Sequence, residues 1–124
     1  MISTARIYLF NVKYENKDWL SISDCDKLSG QIAQLIKNGI PQLKFKNLQI
    51  FNIYKNEVCG NEIHINKIKF EEQRILTKDN IIKLRNELRK QLSRISHFTF
   101  EQIHVVNDEF SERITPAYLG VLNV

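Results

Sequence analysis

Five apolar residues in the stretch 77–97, namely Ile81, Leu84, Leu88, Leu92 and Ile95, recur at the spacing that lines one face of a 3.6-residue helix. Ile82 widens that stripe, and good helix formers (Leu, Arg, Lys, Gln and Glu) fill most other positions. Thr77 or Asp79 can accept from the free N–H groups of the first turn, and Arg94 and His97 place positive charge in the last. The pattern predicts a helix over 78–96. An amphipathic helix of that length needs an apolar surface to lie on, and the strand-type run Phe98-Thr99-Phe100 that follows it suggests a sheet. At about 100° per residue, Lys83, Lys90 and Arg94 fall opposite the stripe. Arg85 and Arg89 fall at its border, where their stems can cover apolar surface.

The rest of the chain supplies that sheet. Residues 5–14 read as a strand with Tyr8, Phe10, Val12 and Tyr14 on one face and Ile7 and Leu9 on the other. Ser23 is the expected N-cap of a helix over 24–38, whose stripe is Cys25, Leu28, Ile32, Leu35 and Ile36. Asn38-Gly39 reads as a left-handed C-cap with Pro41 beyond it. Gly30 inside this helix marks either a close approach or a glycine tolerated at a cost. Residues 43–55 and 62–71 alternate as a long hairpin around a turn at 56–61. Phase slips are expected at Asn47-Leu48 and between Ile65 and Ile68, with Leu48 and Ile50 facing one way and Phe51 and Ile53 the other. Residues 98–106 give a last strand, 107–113 an acidic loop with Asp108, Glu109 and Glu112, and 114–124 a tail able to add an edge strand after Pro116.

Strand, helix, strand, strand, helix, strand is the order of a ferredoxin-like βαββαβ fold of the α+β class. Right-handed crossovers would give a four-stranded antiparallel sheet with two helices on one face and a short C-terminal extension. The 124 residues fit one domain, 1–124.

That architecture hosts many activities, so function has to come from a site. None of the common catalytic or nucleotide motifs is present: no GxSxG, GxxxxGK[ST] or GxGxxG. Cys25 and Cys59 show no CxxC or zinc spacing and read as free thiols; a disulfide between them is the alternative. His64, His97 and His104 lack the i, i+4 pairing of helical metal sites, and the bland reading is structural. The sharper one makes His104 a general base oriented by Asp108 or Glu109. No cofactor or metal is expected, and the chain reads as non-enzymatic.

Three strands read as apolar on both faces, which leaves a second sheet face to be covered by the tail, a second copy or another protein. The first functional reading is therefore a protein-binding module, either an inhibitor or immunity-type protein or a subunit of a larger phage or secretion-like assembly. Tyr8, Phe10 and Phe51 would carry the docking face, with Lys83, Arg85, Arg89, Lys90 and Arg94 as an auxiliary contact. A protein partner or homo-oligomer is expected. The alternative is a nucleic-acid-binding module using the basic helix 78–96, with Lys44 and Lys46 alongside. The net charge of +4 permits this without arguing for it. Stacking of bases on Tyr8, Phe10, Tyr14 and Phe51 is the RNA version, but the strand NEIHINKIKF lacks the glycines and aromatics of that signature, and core packing is the preferred reading for these rings. No leader and no membrane span are visible, so a cytoplasmic location is expected. Seventeen Ile and twelve Asn against three Ala suggest an AT-rich bacterial or phage genome.

Overall fold

The computed structural model describes residues 4–42, 44–58, 60–75 and 77–106. They form β1 (Thr4–Glu15), a 3-10 turn (Asp18–Ser21), α1 (Cys25–Gly39), β2 (Phe45–Asn56), β3 (Glu62–Ile75), α2 (Lys78–Leu92), β4 (Phe98–Thr99) and β5 (Gln102–Val106). This is an α+β fold of two helices and an antiparallel sheet in the order β2-β3-β1, with β4 and β5 both paired to the far side of β1. The acidic loop and tail expected over 107–124, and Cys59 of the alternative disulfide, lie outside the described residues.

The helices start where the short polar side chains allow. Thr77 Oγ1 accepts from the Asn80 N–H at 3.3 Å to open α2. Asp24, not Ser23, caps α1, its Oδ1 accepting from the Asp26 N–H at 2.8 Å. The ends differ from expectation. α2 stops at Leu92, four residues short of the expected 96, and the chain turns through 93–97 to His97 at φ 61°. Arg94 therefore stands beyond the helix. α1 runs through Gly39, and no left-handed residue ends it. Gly39 is needed for another reason: a Cβ there would lie 2.5 Å from Ile95 Cδ1, so the end of α1 packs against the turn after α2.

Gly30 resolves the other way. A Cβ at this position would meet nothing within 4 Å, so the glycine is tolerated and no neighbour demands it. Gly30→Ala is expected to raise stability by about 0.5–1 kcal/mol, read as a higher urea midpoint with an unchanged slope.

The sheet carries the main departure from simple alternation. In β1 the inward residues are Ala5, Ile7 and Leu9, and then Val12; in β3 they are Ile63 and Ile65, then Ile68 and Phe70. In β2 the inward residues are Leu48 and Ile50, then Ile53. Pairing puts Leu9, Ile68 and Ile50 in one row and Val12, Ile65 and Ile53 in the next inward row. Between those rows each strand spends two residues on the outside: Phe10-Asn11, Asn66-Lys67 and Phe51-Asn52. Asn11 (φ 51°) and Asn52 (φ 57°) take the left-handed conformation that asparagine tolerates better than most residues. The three strands thus change phase together along one kink line, and their register survives it.

Two expectations about faces are corrected by this kink. Val12 is buried with Ile7 and Leu9, and Tyr14 packs against the same core with its ring 4.8 Å from Trp19 and 6.4 Å from Phe98. Ile53 joins Ile50, opposite Phe51. The last strand is also broken: β4 and β5 are separated at Phe100-Glu101, which lets Phe98 and Ile103 both enter the core.

One core results. Leu28, Ile32 and Ile36 of α1 and Ile81, Leu84, Leu88 and Leu92 of α2 are buried in the same cluster as the inward sheet residues. Lys55, at the inward end of β2, donates to the Leu20 and Ile22 carbonyl oxygens at 2.8 and 2.9 Å, which ties the 3-10 turn to the hairpin.

Candidate binding face of the sheet

The outward side chains can be read in rows from the pairing. Lys46, Glu71 and Arg6 make one row and Gln49, Lys69 and Tyr8 the next, each ending at β5 on a buried residue, Val106 and His104. Phe51, Lys67, Phe10 and Gln102 follow. The kink adds Asn52, Asn66 and Asn11, and Tyr54, His64 and Lys13 come after it.

This surface is less apolar than strands apolar on both faces would make it. Once Val12, Tyr14, Ile53 and Phe98 are assigned to the core, what stays outside is a set of rings set among cations and amides. Lys67 lies at its centre, with Nζ 4.6 Å from the centroid of Phe51 and 5.9 Å from that of Tyr8. Tyr8 and Phe10 stack at 6.1 Å and 15°. Phe51 is 36% exposed and Tyr54 57%. The acids of this face are tied down. Glu71 accepts from Asn47 Nδ2 and Glu101 from Asn11 Nδ2, each at 2.6 Å, and Glu62 lies 3.2 Å from His64 Nε2.

The kink also opens a cleft of about 330 Å³ lined by Asn11, Lys13, Tyr54, His64, Asn66 and Glu101, with Val12 and Ile65 at its floor. Tyr54 stacks on His64 at 5.1 Å and 22°. A second groove, of about 420 Å³, lies where α1 ends and β2 begins, among Lys37, Lys44 and Lys46.

The residues singled out from the sequence separate into two surfaces. Tyr8, Phe10 and Phe51 come together on the far face, while Tyr14 belongs to the core. The basic residues of α2 lie on the helical side. Lys83, Lys90 and Arg94 are exposed there. Arg89 instead stands over the Phe100 ring at 5.7 Å, and Arg85 is half-buried, donates to Asn86 Oδ1 at 2.9 Å and acts electrostatically on His104. No ligand resting on the sheet's outer face can reach Lys83 or Lys90 without passing the edge of the fold. The sequence reading places a phase slip between Ile65 and Ile68, where Asn66 and Lys67 stand, but not the slips at Asn11 and Asn52, and it gives no role to Lys67 or Tyr54. The signal was present as an Asn in each of three strands, but a period-two count passes over it.

His104 is 6% exposed, with its ring 6.2 Å from that of Tyr8. Burial, and then the charge of Arg85, lower its pKa from 6.5 to about 4, so the ring is neutral at physiological pH. Asp108 and Glu109, its expected carboxylate partners, lie outside the described residues. Cys25 is exposed. Among the described residues no three His, Cys, Asp or Glu side chains gather as a metal site, and no helix is long and apolar enough to cross a membrane.

No protein-family model matches the chain, and no curated protein matches it in sequence. Among solved structures it is similar to part of the full extracellular region of zebrafish Gpr126/Adgrg6, with 9% identity and a TM-score of 0.50. That match covers 85% of this chain and 13% of the other, so it is a likeness of fold to one portion of a much larger protein. A similarity to a phage SAM lyase in complex with S-methyl-5'-thioadenosine covers 88% of this chain and 92% of that one at 12% identity. Its TM-score is 0.32.

Proposed function

We propose that this chain is a non-enzymatic binding module whose docking surface is the outer face of the sheet, and that the partner is a single-stranded nucleic acid. The observation that supports this most is Lys67 set between the rings of Phe51 and Tyr8. Rings that can stack bases, interleaved with cations that can meet phosphates, are the working parts of single-strand surfaces. Lys13 and Lys69 extend the cationic line on either side of Lys67, while Glu71 and Glu101 are held by Asn47 and Asn11. Relative to the sequence reading, the nucleic-acid alternative moves from the helix to the sheet.

The architecture in this proposal is the ferredoxin-like split βαβ arrangement, a common carrier of open sheet faces. Its support is the strand order β2-β3-β1-β4 with antiparallel neighbours, together with helices that share one core.

Fluorescence anisotropy of a labelled single-stranded oligonucleotide against salt tests the assignment. Three phosphate contacts, through Lys13, Lys67 and Lys69, predict a log–log slope of about −2 at roughly 0.7 per contact. Absence of binding at low salt would exclude it.

A second reading keeps the face and changes the partner: an inhibitor or immunity-type protein, or a subunit of a larger assembly. The exposed Phe51 and Tyr54 rings favour it, because aromatic anchors dominate protein interfaces. A chain that ignores oligonucleotides and self-associates in light scattering, with Phe51→Ala restoring the monomer, would shift the assignment to this reading.

A further inference from the structure

We infer that the cleft on the kink line is a pocket for an adenine base, presented by a single strand or by a free adenosine nucleotide. This rests on the reading of the outer sheet face as a nucleic-acid surface and narrows it to one base.

At about 330 Å³ the cleft lies at the small end of ligand pockets. Tyr54 forms one wall. His64 stands between it and Lys13 in the row, stacks on it at 5.1 Å and is itself held by Glu62, so within the cleft a base stacks on the imidazole, with Tyr54 behind it.

The amides supply the recognition. Asn66 is exposed and lines the cleft, and an asparagine amide sets a donor beside an acceptor. Adenine shows the complementary pair, the N7 acceptor beside the N6 amino donor, and a bidentate amide is its characteristic partner. Asn11 commits its Nδ2 to Glu101 at 2.6 Å, which leaves its carbonyl oxygen to accept a second proton of an exocyclic amine. Guanine shows O6, an acceptor, where adenine shows its amine, so two acceptors would meet. Cytosine shows the same pair at N3 and N4, so against it the preference comes from the larger purine ring on the His64–Tyr54 wall. Lys13, on the same row as Tyr54 and His64, can meet the phosphate.

The test is an NMR titration of the isotope-labelled chain with AMP and with CMP, run beside anisotropy of labelled oligo(dA) and oligo(dC). AMP is expected to move the side-chain amides of Asn11 and Asn66 and the ring signals of Tyr54, with CMP weaker by about tenfold. Oligo(dA) should bind about tenfold more tightly than oligo(dC). Asn66→Ala should weaken both oligonucleotides alike, whereas His64→Ala, which removes the stacking wall, should remove the preference for oligo(dA), with circular dichroism reporting that both variants are folded. Equal binding of both oligonucleotides, with AMP leaving the amides unmoved, overturns the pocket while the wider face stands. AMP bound at the amides with no oligonucleotide bound supports the pocket for a free nucleotide and overturns the single-strand reading.

Discussion

Phe70→Ala is expected to lose about 3–5 kcal/mol of stability, a large share of the roughly 5–15 kcal/mol that holds a domain of this size together. Phe70 is fully buried on β3, faces Ile7 across the pairing with β1, and packs its ring 4.9 Å from that of Phe45 on β2. It is therefore where three strands share one side chain. Truncation removes the ring's transfer energy and leaves a cavity that a rigid sheet fills poorly. Phe51→Ala, on the same sheet but outside, should cost under about 1 kcal/mol. Urea unfolding of the two variants reads the contrast directly. Similar losses for both would mean that the inward and outward assignments are wrong.

Acidification gives the second large effect. With a pKa near 4 in the fold and 6.5 when unfolded, His104 takes up a proton in the unfolded chain before the native one. The unfolded state therefore binds more protons between those values. His104's stabilising contribution is complete above pH 6.5 and is lost as pH falls toward 4. At about 1.4 kcal/mol per pH step, the loss across the window reaches about 3 kcal/mol. Burial is the larger cause and the positive charge of Arg85 on α2 the second; the ring lies 6.2 Å from that of Tyr8. Denaturation midpoints between about pH 7 and pH 4.5 should fall steeply in the native chain and less steeply in His104→Gln. An identical pH dependence in both would assign the acid sensitivity to other groups.

The helices were readable in the sequence because their stripes are long and locally encoded. Ile81, Leu84, Leu88 and Leu92 point one way whatever the rest of the chain does. Their ends were less readable. Gly39 looked like a terminator but serves a contact with Ile95, which no local pattern announces. The strands are legible in part: the hairpin and its slips at Asn47-Leu48 and between Ile65 and Ile68 are all present in the structure. The slips left unread are those at left-handed Asn11 in β1 and at Asn52, the second left-handed asparagine of β2, and each reverses the parity of the residues after it. Val12, Tyr14 and Ile53 were consequently placed on the wrong side. That error made the outer face look apolar and a greasy protein interface look necessary. The candidate cleft was harder still, because it is made by the kink and draws on β1, β2, β3 and the β4–β5 break at once.

Oligonucleotide affinity in matched charge reversals probes the assignment of the binding face most directly. Lys67→Glu alters the centre of the sheet face, and Lys83→Glu alters the helical side of the same molecule. The sheet-face assignment predicts that Lys67→Glu weakens binding at least tenfold and flattens the salt dependence, while Lys83→Glu leaves both close to the parent values. The reverse pattern, with Lys83→Glu the damaging change, would contradict it and return the interface to the helix.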